Sequence, residues 1–496
     1  MRAGPALLVR VGLLLLLVTA AIGTSADADL WGHLRFGQDI LRTGSIVQVD
    51  EYSFTSDRPW INHEWLSEVA FAGAYGLAGP SGLIALKLIV LTAMLALVWW
   101  RVRRNDRSTN ATMWVVMLAF AGTYWRTHSV RPQLFSVLLF ACLLVLIARA
   151  DDGRRRGLAM VPLLFALWVN LHGGWIVGLG VLGFWVAARL IDRGLASRER
   201  VAIAAVGLAS VAATLLNPYG LDLWRFIAET VRLQRSDIED WNSVLADPIR
   251  LGVPWMLCAV SATWFLVRGG WPRRTEYVVI VVLAAAASLR VGRLDVFFCL
   301  AVVLLLAPEL ARSPSPVRDA DGTALAGPAH APLVITVIVI AAMIVPAARI
   351  VMPLTTCVTI GGPWAPDADA ARFIAANQLT GRMLTWFDWG EYAIWHFGPD
   401  LQVSMDGRRE TVYLDRTIQA HRAFYAADAP ADTYLRALNP DYIWVASRLP
   451  IASVLSDRGW AAIFSSPVSR VFARAGRGPF QSIAAAAAGP RCFPGP

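Results

Sequence analysis

Residues 25–69 read SADADLWGHLRFGQDILRTGSIVQVDEYSFTSDRPWINHEWLSEV. They follow at once on an apolar run, Val11 to Gly23, and hold four groups of ionisable residues: Asp27 and Asp29; His33 and Arg35; Asp50 and Glu51; and His63, Glu64 and Glu68. Acids and imidazoles at this density beside a membrane-spanning segment cost free energy unless water, a metal or a charged ligand accompanies them. The stretch therefore reads as an active site set at a membrane surface.

The rest of the chain fits that setting. Of 496 residues, 56% are hydrophobic and 16% charged, and the mean hydropathy is +0.51, which places the chain in a membrane. Lys87 is the only lysine among 45 basic residues; arginine suits bidentate phosphate binding, although a coding bias explains the same excess without function. No basic run is interleaved with aromatics, so nucleic acid is not an expected partner. Cys142, Cys258 and Cys299 lie in apolar segments and no Cys-x-x-Cys occurs, which leaves Cys357 and Cys492 as the pair open to a disulfide.

After Val11 to Gly23, expected to be a retained helix rather than a cleaved leader, apolar segments recur near residues 80–100, 111–124, 132–148, 158–170, 174–191, 201–216, 252–267, 277–289, 294–310 and 332–353. The expectation is an α-helical integral membrane protein with about eleven spans. The connections at 101–107, 149–157, 192–200 and 268–276 are rich in arginine, and that at 311–331 is rich in Pro, Ser and Asp. By the positive-inside rule these are cytoplasmic, with the N-terminus inside and residues beyond 353 outside. The other connections then share the outer face, and they carry the polar motifs. From residue 354, short apolar strands at Met383 to Phe387, Leu401 to Met405, Tyr442 to Ala446 and Arg470 to Arg474 alternate with helical patterns. This predicts an extracytoplasmic α/β domain over 354–475, with 476–496 a flexible tail.

Asp27 and Asp29, at i and i+2, are close enough to share a divalent cation such as Mg or Mn, or to act as a base beside a second carboxylate. The alternative is a helix cap, because LWGHLRFGQDIL has the period of an amphipathic interfacial helix. Both hold if Asp27 caps while Asp29 acts. His33 shares a helix face with Asp29. His63 and Glu64 form a second acid–base pair, or else part of an interfacial helix anchored by Trp60 and Trp65. Arg126, His128 and Arg131 end one helix, and Arg290 and Arg293 end another; they snorkel to lipid headgroups or clamp a phosphate. His172, beside Gly173 and Gly174, marks a close approach of backbone to ligand. Asp388, Glu391, Asp406, Arg408 and Arg409 fall on loops after strands, where they meet a ligand or form an internal salt-bridge network.

Three of these motifs together carry a resemblance: the Asp-x-Asp-x-Trp-x-His-Leu-x-x-Gly run from Asp27, Asp-x-x-Ser-x-Thr from Asp50, and Trp-x-x-His-Glu-Trp-Leu from Trp60. With Trp-Gly-x-Tyr from Trp389 and Asp-Gly-Arg from Asp406, they resemble a large group of bacterial multi-spanning proteins related to the GT-C glycosyltransferases. The resemblance covers nearly the whole chain. It implies a sugar transferase of the bacterial cytoplasmic membrane, inverting, which uses a polyprenyl-phosphate-linked donor at the outer face and a glycan, lipid or protein acceptor. The first-loop Asp is then catalytic, here Asp29 with Asp27 and Glu64. His33, His63, Arg126, His128, Arg131, His172, Arg290, Arg293, Asp388, Asp406 and Arg408 bind substrate. The competing classes are a transporter of lipid-linked saccharides, which would show internal repeats and mid-membrane charge, and a non-catalytic envelope scaffold.

Overall fold

The structure, a computed structural model, describes residues 17–103, 109–230, 239–269, 274–308, 354–484 and 491–495. Helix α1 (Leu30–Thr43) lies in the 25–69 stretch, expected to face outward, and ends where Gly44 takes a left-handed φ of 67°. Helix α2 (Trp65–Arg103) is broken at Ala78 and Gly79, just ahead of Pro80. Proline there lacks the amide hydrogen that the preceding turn needs, and Gly79 takes a φ of 57° that a side chain would oppose. The half before the break packs on α1, and the apolar half after it is roughly 36 Å long, enough to cross a bilayer.

The bundle continues with α3 (Thr109–Thr127), α4 (Gln133–Asp151), α5 (Met160–Trp168), α6 (Trp175–Ile191), α7 (Ser197–Ala213), α8 (Leu221–Thr230), α9 (Val253–Gly269), α10 (Thr275–Arg290) and α11 (Asp295–Ala301). Each apolar segment from 80–100 to 294–310, the last as far as residue 308, coincides largely with helix. Among the described residues three helices are long and apolar enough to cross a membrane: Trp65–Arg103, Gln133–Asp151 and Pro248–Val267. Residues 11–16 of the first expected span, the whole of 332–353 and the 311–331 connection lie outside the described residues, whereas 17–22 of that first span are helical.

The region after residue 354 is built on a five-stranded sheet in the order β3-β2-β4-β6-β5, formed by β2 (Gly381–Thr385), β3 (Leu401–Val403), β4 (Tyr442–Ala446), β5 (Trp460–Ser465) and β6 (Ser469–Arg474). Strand β2 is parallel to β3 and β4, whereas β4, β6 and β5 run antiparallel. The run YIWVA makes β4 the buried centre, as an unbroken apolar strand should be. Helices α12 (Ala368–Ala376), α13 (Gly390–Phe397), α14 (Asp415–Tyr425), α15 (Ala431–Leu438) and α16 (Ile451–Val454) complete it. The loop after β3 carries the DGR motif, whereas WGEY opens α13, so that Glu391 sits in the first turn of a helix rather than on the expected loop.

Two cores follow from this division. One lies within the bundle. The other joins the first outer stretch to the sheet domain through Leu30, Trp31, Phe36, Trp60, Trp389, Tyr392 and Val403. Backbone bonds stitch the same seam: Phe54 donates to Val403 (3.1 Å), Val403 to Tyr52 (3.1 Å), and Ala26 to Thr359 (2.8 Å).

The chain end departs from expectation. Residues 491–495, expected within a flexible tail, are fixed: β7 (Arg491–Cys492) pairs with β1 (Thr359–Ile360), and Cys492 is bonded to Cys357. Phe493 is buried in the second core, and Trp31 Nε1 donates to the Pro494 carbonyl at 2.7 Å. A buried aromatic beside the disulfide outweighs the Ala/Gly/Pro composition before it.

Candidate active site

The site grows from the start of α1. Asp27 Oδ1 accepts from the Asp29 amide at 3.1 Å, and its carbonyl accepts from the Leu30 amide, so Asp27 makes the turn that starts the helix. Asp29 occupies the N-cap position without a side-chain cap bond. Its half-buried carboxyl is left to the site. Burial first and the neighbouring Asp27 second raise it to about 6, against the opposing charges of Arg131 and His33.

His33 lies one turn on, with Nδ1 3.4 Å from Glu68 Oε1. Burial alone would lower its pKa; the Glu68 bond and the charges of Glu64, Glu68 and Asp29 outweigh burial and lift it to about 9. Asn62 Nδ2 holds the other Glu68 oxygen at 2.6 Å. His33 is therefore an imidazolium at neutral pH, fixed between two acids.

Glu64 Oε1 stands 3.5 Å from His63 Nε2 and 3.8 Å from His172 Nε2. Burial acts to raise Glu64, yet His63, His172, His33 and Arg293 hold it below the ordinary carboxylate range. His172 Nδ1 accepts from the Gly174 amide at 3.1 Å, which leaves Nε2 to carry the hydrogen toward Glu64. Burial takes His172 down to about 3. The loop of α5 to α6 thus presents a neutral imidazole to a charged Glu64. Trp60, by contrast, is buried rather than an interfacial anchor.

Beside these acids runs a row of alternating charge. Arg131 Nε pairs with Asp27 Oδ2, and its Nη1 is 3.0 Å from Asp240 Oδ2. Arg126 Nη1 is 2.7 Å from Asp240 Oδ1, and Nε is 2.9 Å from Asp295 Oδ1. Arg293 lies over the Trp241 ring at 5.3 Å and joins no ion pair among the described residues. Two expected members fall away. Arg290 is exposed at the end of α10, because the 3₁₀ turn Gly292–Leu294 carries only Arg293 inward. His128 packs its ring on Tyr124 at 5.2 Å, and burial followed by the Lys87 charge lowers it to about 4. It is a neutral residue set apart from the arginines.

The sheet domain closes the site from above. A β-carbon on Gly407 would run into Asp29 Oδ1 and stand 3.0 Å from Glu391 Oε1, while one on Gly32 would run into Glu391 Oε2. These glycines bring the two carboxyls face to face. Asp388 also turns to the site; burial and then the Asp29 charge raise it to about 7. Asp406 and Arg408 do something else. Arg408 grips Asp406 through Nε at 2.9 Å and Nη2 at 2.7 Å, and it reaches Asp50 through Nη1 at 2.7 Å. Its guanidinium is 4.9 Å from Phe36 and 4.7 Å from Trp60. Every arm is engaged and buried, which corrects the substrate-binding expectation for this pair: they fasten the domain to the first outer stretch.

Asp240 and Asp295 complete the geometry without having been expected to, each an isolated acid whose partner is set by packing. Glu68 and Asn62 lie in the stretch already read as the site, and packing gives them the role of holding His33. The Asp-x-Asp pair fits a divalent cation poorly, since both Asp27 oxygens are already taken, by the Asp29 amide and by Arg131. Among the described residues no three His, Cys, Asp or Glu side chains gather to hold a metal.

No family model matches the chain, and no curated protein matches it. Solved structures do. ArnT from Cupriavidus metallidurans bound to undecaprenyl phosphate superposes with a TM-score of 0.56 at 13% identity, over 97% of this chain and 100% of that one. The archaeal oligosaccharyltransferase AglB from Archaeoglobus fulgidus, in complex with an inhibitory peptide and a dolichol-phosphate, gives 0.55 at 10% identity, over 94% of this chain and 74% of that one. The chain is a multi-pass membrane protein with the fold of the GT-C glycosyltransferases. The resemblance read from its first outer loop holds at the level of architecture.

Proposed function

We propose that this chain is an inverting glycosyltransferase of the bacterial cytoplasmic membrane that moves a sugar from a polyprenyl-phosphate-linked donor to a hydroxyl acceptor at the outer face. The observation that carries the reading is the Asp29 carboxyl: uncapped, half-buried, poised near neutrality, and enclosed by the first outer stretch and the sheet domain. Asp29 takes the proton of the acceptor hydroxyl, whose oxygen attacks the anomeric carbon as the bond to the phosphate oxygen breaks. Arg293 and Arg131, beside the acids, receive the departing polyprenyl phosphate. Glu64 with His63 and His172 orients the sugar, and the His33 imidazolium steadies the charge on Asp29. The undecaprenyl phosphate and dolichol-phosphate bound in the two structural neighbours support a polyprenyl phosphate here. A divalent cation has no role in this scheme.

The test is to supply purified protein with labelled polyprenyl-phosphate sugars and total bacterial membrane acceptors, and to determine the anomeric configuration of any product. Transfer with inverted configuration is the expected result. Retention would overturn the single-displacement scheme, and no transfer from any donor would return the transporter and scaffold classes.

A further inference from the structure

We propose that Glu391, in the sheet domain, is a positioning residue that shares one proton with Asp29, so that docking of the outer domain sets the protonation state of the first-loop carboxylate. The pair rests on geometry. Glu391 is 2% exposed, and its Oε2 is buried without a hydrogen-bond partner. That oxygen lies directly over the backbone of Gly32 in the first turn of α1, and Gly407 leaves the opening through which Glu391 Oε1 faces Asp29 Oδ1. A side chain at either glycine would separate the two groups. Two carboxyls brought together in a buried space do not both ionise; they titrate as a pair.

The surrounding charges agree. Facing Glu391 are Asp29 and Asp27 from the first outer stretch and Asp406 and Arg408 from the β3 loop. Facing Asp29 are Asp27, His33 and Glu64, with Arg131 from the start of α4 and Asp388 from the sheet domain. Arg408 acts to lower Glu391, but it is already held by Asp406 and Asp50. Burial first, then Asp29 and Asp406, push Glu391 well above the ordinary carboxylate range. The positive end of α1 opposes this, but less strongly than the cost of a buried carboxylate with no partner. With Glu391 protonated, its O–H donates to ionised Asp29. The base then keeps its charge in a buried setting and still accepts the proton of an acceptor.

The role in setting a base rests on the reading of Asp29 proposed above, but the shared proton is measurable without a sugar donor. An acid whose folded-state pKa is raised stabilises the fold below its unfolded value, and that stability is lost as pH rises toward the folded value. Glu391→Gln removes the loss. The full chain in detergent should therefore melt close to native at pH 5 and about 3 °C above native at pH 8. In an Asp29→Asn background the pH-dependent gain should shrink. Equal shifts at both pH values, or an undiminished gain in the Asp29→Asn background, would overturn the proposal. If Glu391→Gln does not fold, infrared spectra of the Asp388→Asn protein decide: a protonated carboxyl band at pH 7.5 that is lost on adding Asp29→Asn supports the pair. A band that is absent, or that ignores Asp29, overturns it. Loss of transfer in Asp29→Asn without this linkage would sink the pair alone and leave the transferase reading standing.

Discussion

Two buried clusters of charge sit at opposite ends of helix α4, and they differ in what they leave over. At the far end, Asp151 accepts from Trp185 Nε1 at 3.0 Å and Tyr277 Oη at 2.7 Å. Arg189 reaches Asp192 at 3.1 Å and also pairs with Glu276. Arg274 stands 4.0 Å from both Asp151 and Asp192, around a cavity of about 200 Å³. Each carboxylate there is in an ion pair or accepts a hydrogen bond, Glu276 through its ion pair with Arg189 alone. At the end nearer the 25–69 stretch Arg126, Asp240 and Asp295 are matched in the same way, yet Arg293 joins no ion pair among the described residues, Asp29 caps nothing, and Glu391 Oε2 is without a hydrogen-bond partner. Matched buried charge holds helices together; leftover buried charge marks where a ligand or a proton belongs.

The comparison breaks or sharpens under substitution. Asp29→Asn should lower transfer by about 10²–10⁴-fold with the melting temperature near native, because a general base is worth that much and this one supports no helix cap. Arg293→Ala should cost about 10²–10³-fold in transfer, read as kcat with a polyprenyl-phosphate donor, again with little change in stability. Arg189→Ala should do the reverse: a loss of about 3–5 kcal/mol in unfolding free energy, from stranding buried carboxylates, and unchanged transfer per folded molecule. The pH–rate profile should fall about tenfold per unit below pH 6, the value near which Asp29 takes up its proton. Arg290→Ala, exposed at the end of α10, should stay within about twofold of native, as surface changes do.

How much of this was legible in the sequence follows from how far apart the partners lie. Asp27, Asp29 and His33 fall within two turns of one helix start, so their grouping shows as a motif. Arg126, Arg131 and Arg293 were visible as cations at helix ends, because a helix end at a membrane surface is a place that composition marks. Asp240 and Asp295 were not, since a single acid carries no spacing signal, whether in the long 217–248 connection or at the first position of α11. Glu391 stood out only as a loop residue of the sheet domain. Its meeting with Asp29 depends on Gly32 and Gly407, two glycines whose purpose is the space they leave. The DGR motif was visible, but only packing shows that Arg408 is closed off by Asp406, Asp50 and three aromatic rings. Strand β5 escaped because WAAIFS alternates weakly, and the chain end escaped because one disulfide and Phe493 override its composition.

The most direct test sets the two ends of the bundle side by side: transfer of labelled sugar from polyprenyl-phosphate donors, per folded molecule, by native protein, Asp29→Asn and Arg189→Ala. Transfer by native protein and by Arg189→Ala, with its loss in Asp29→Asn, is the predicted result. Transfer by Asp29→Asn at the native rate would contradict the assignment of Asp29 as the base.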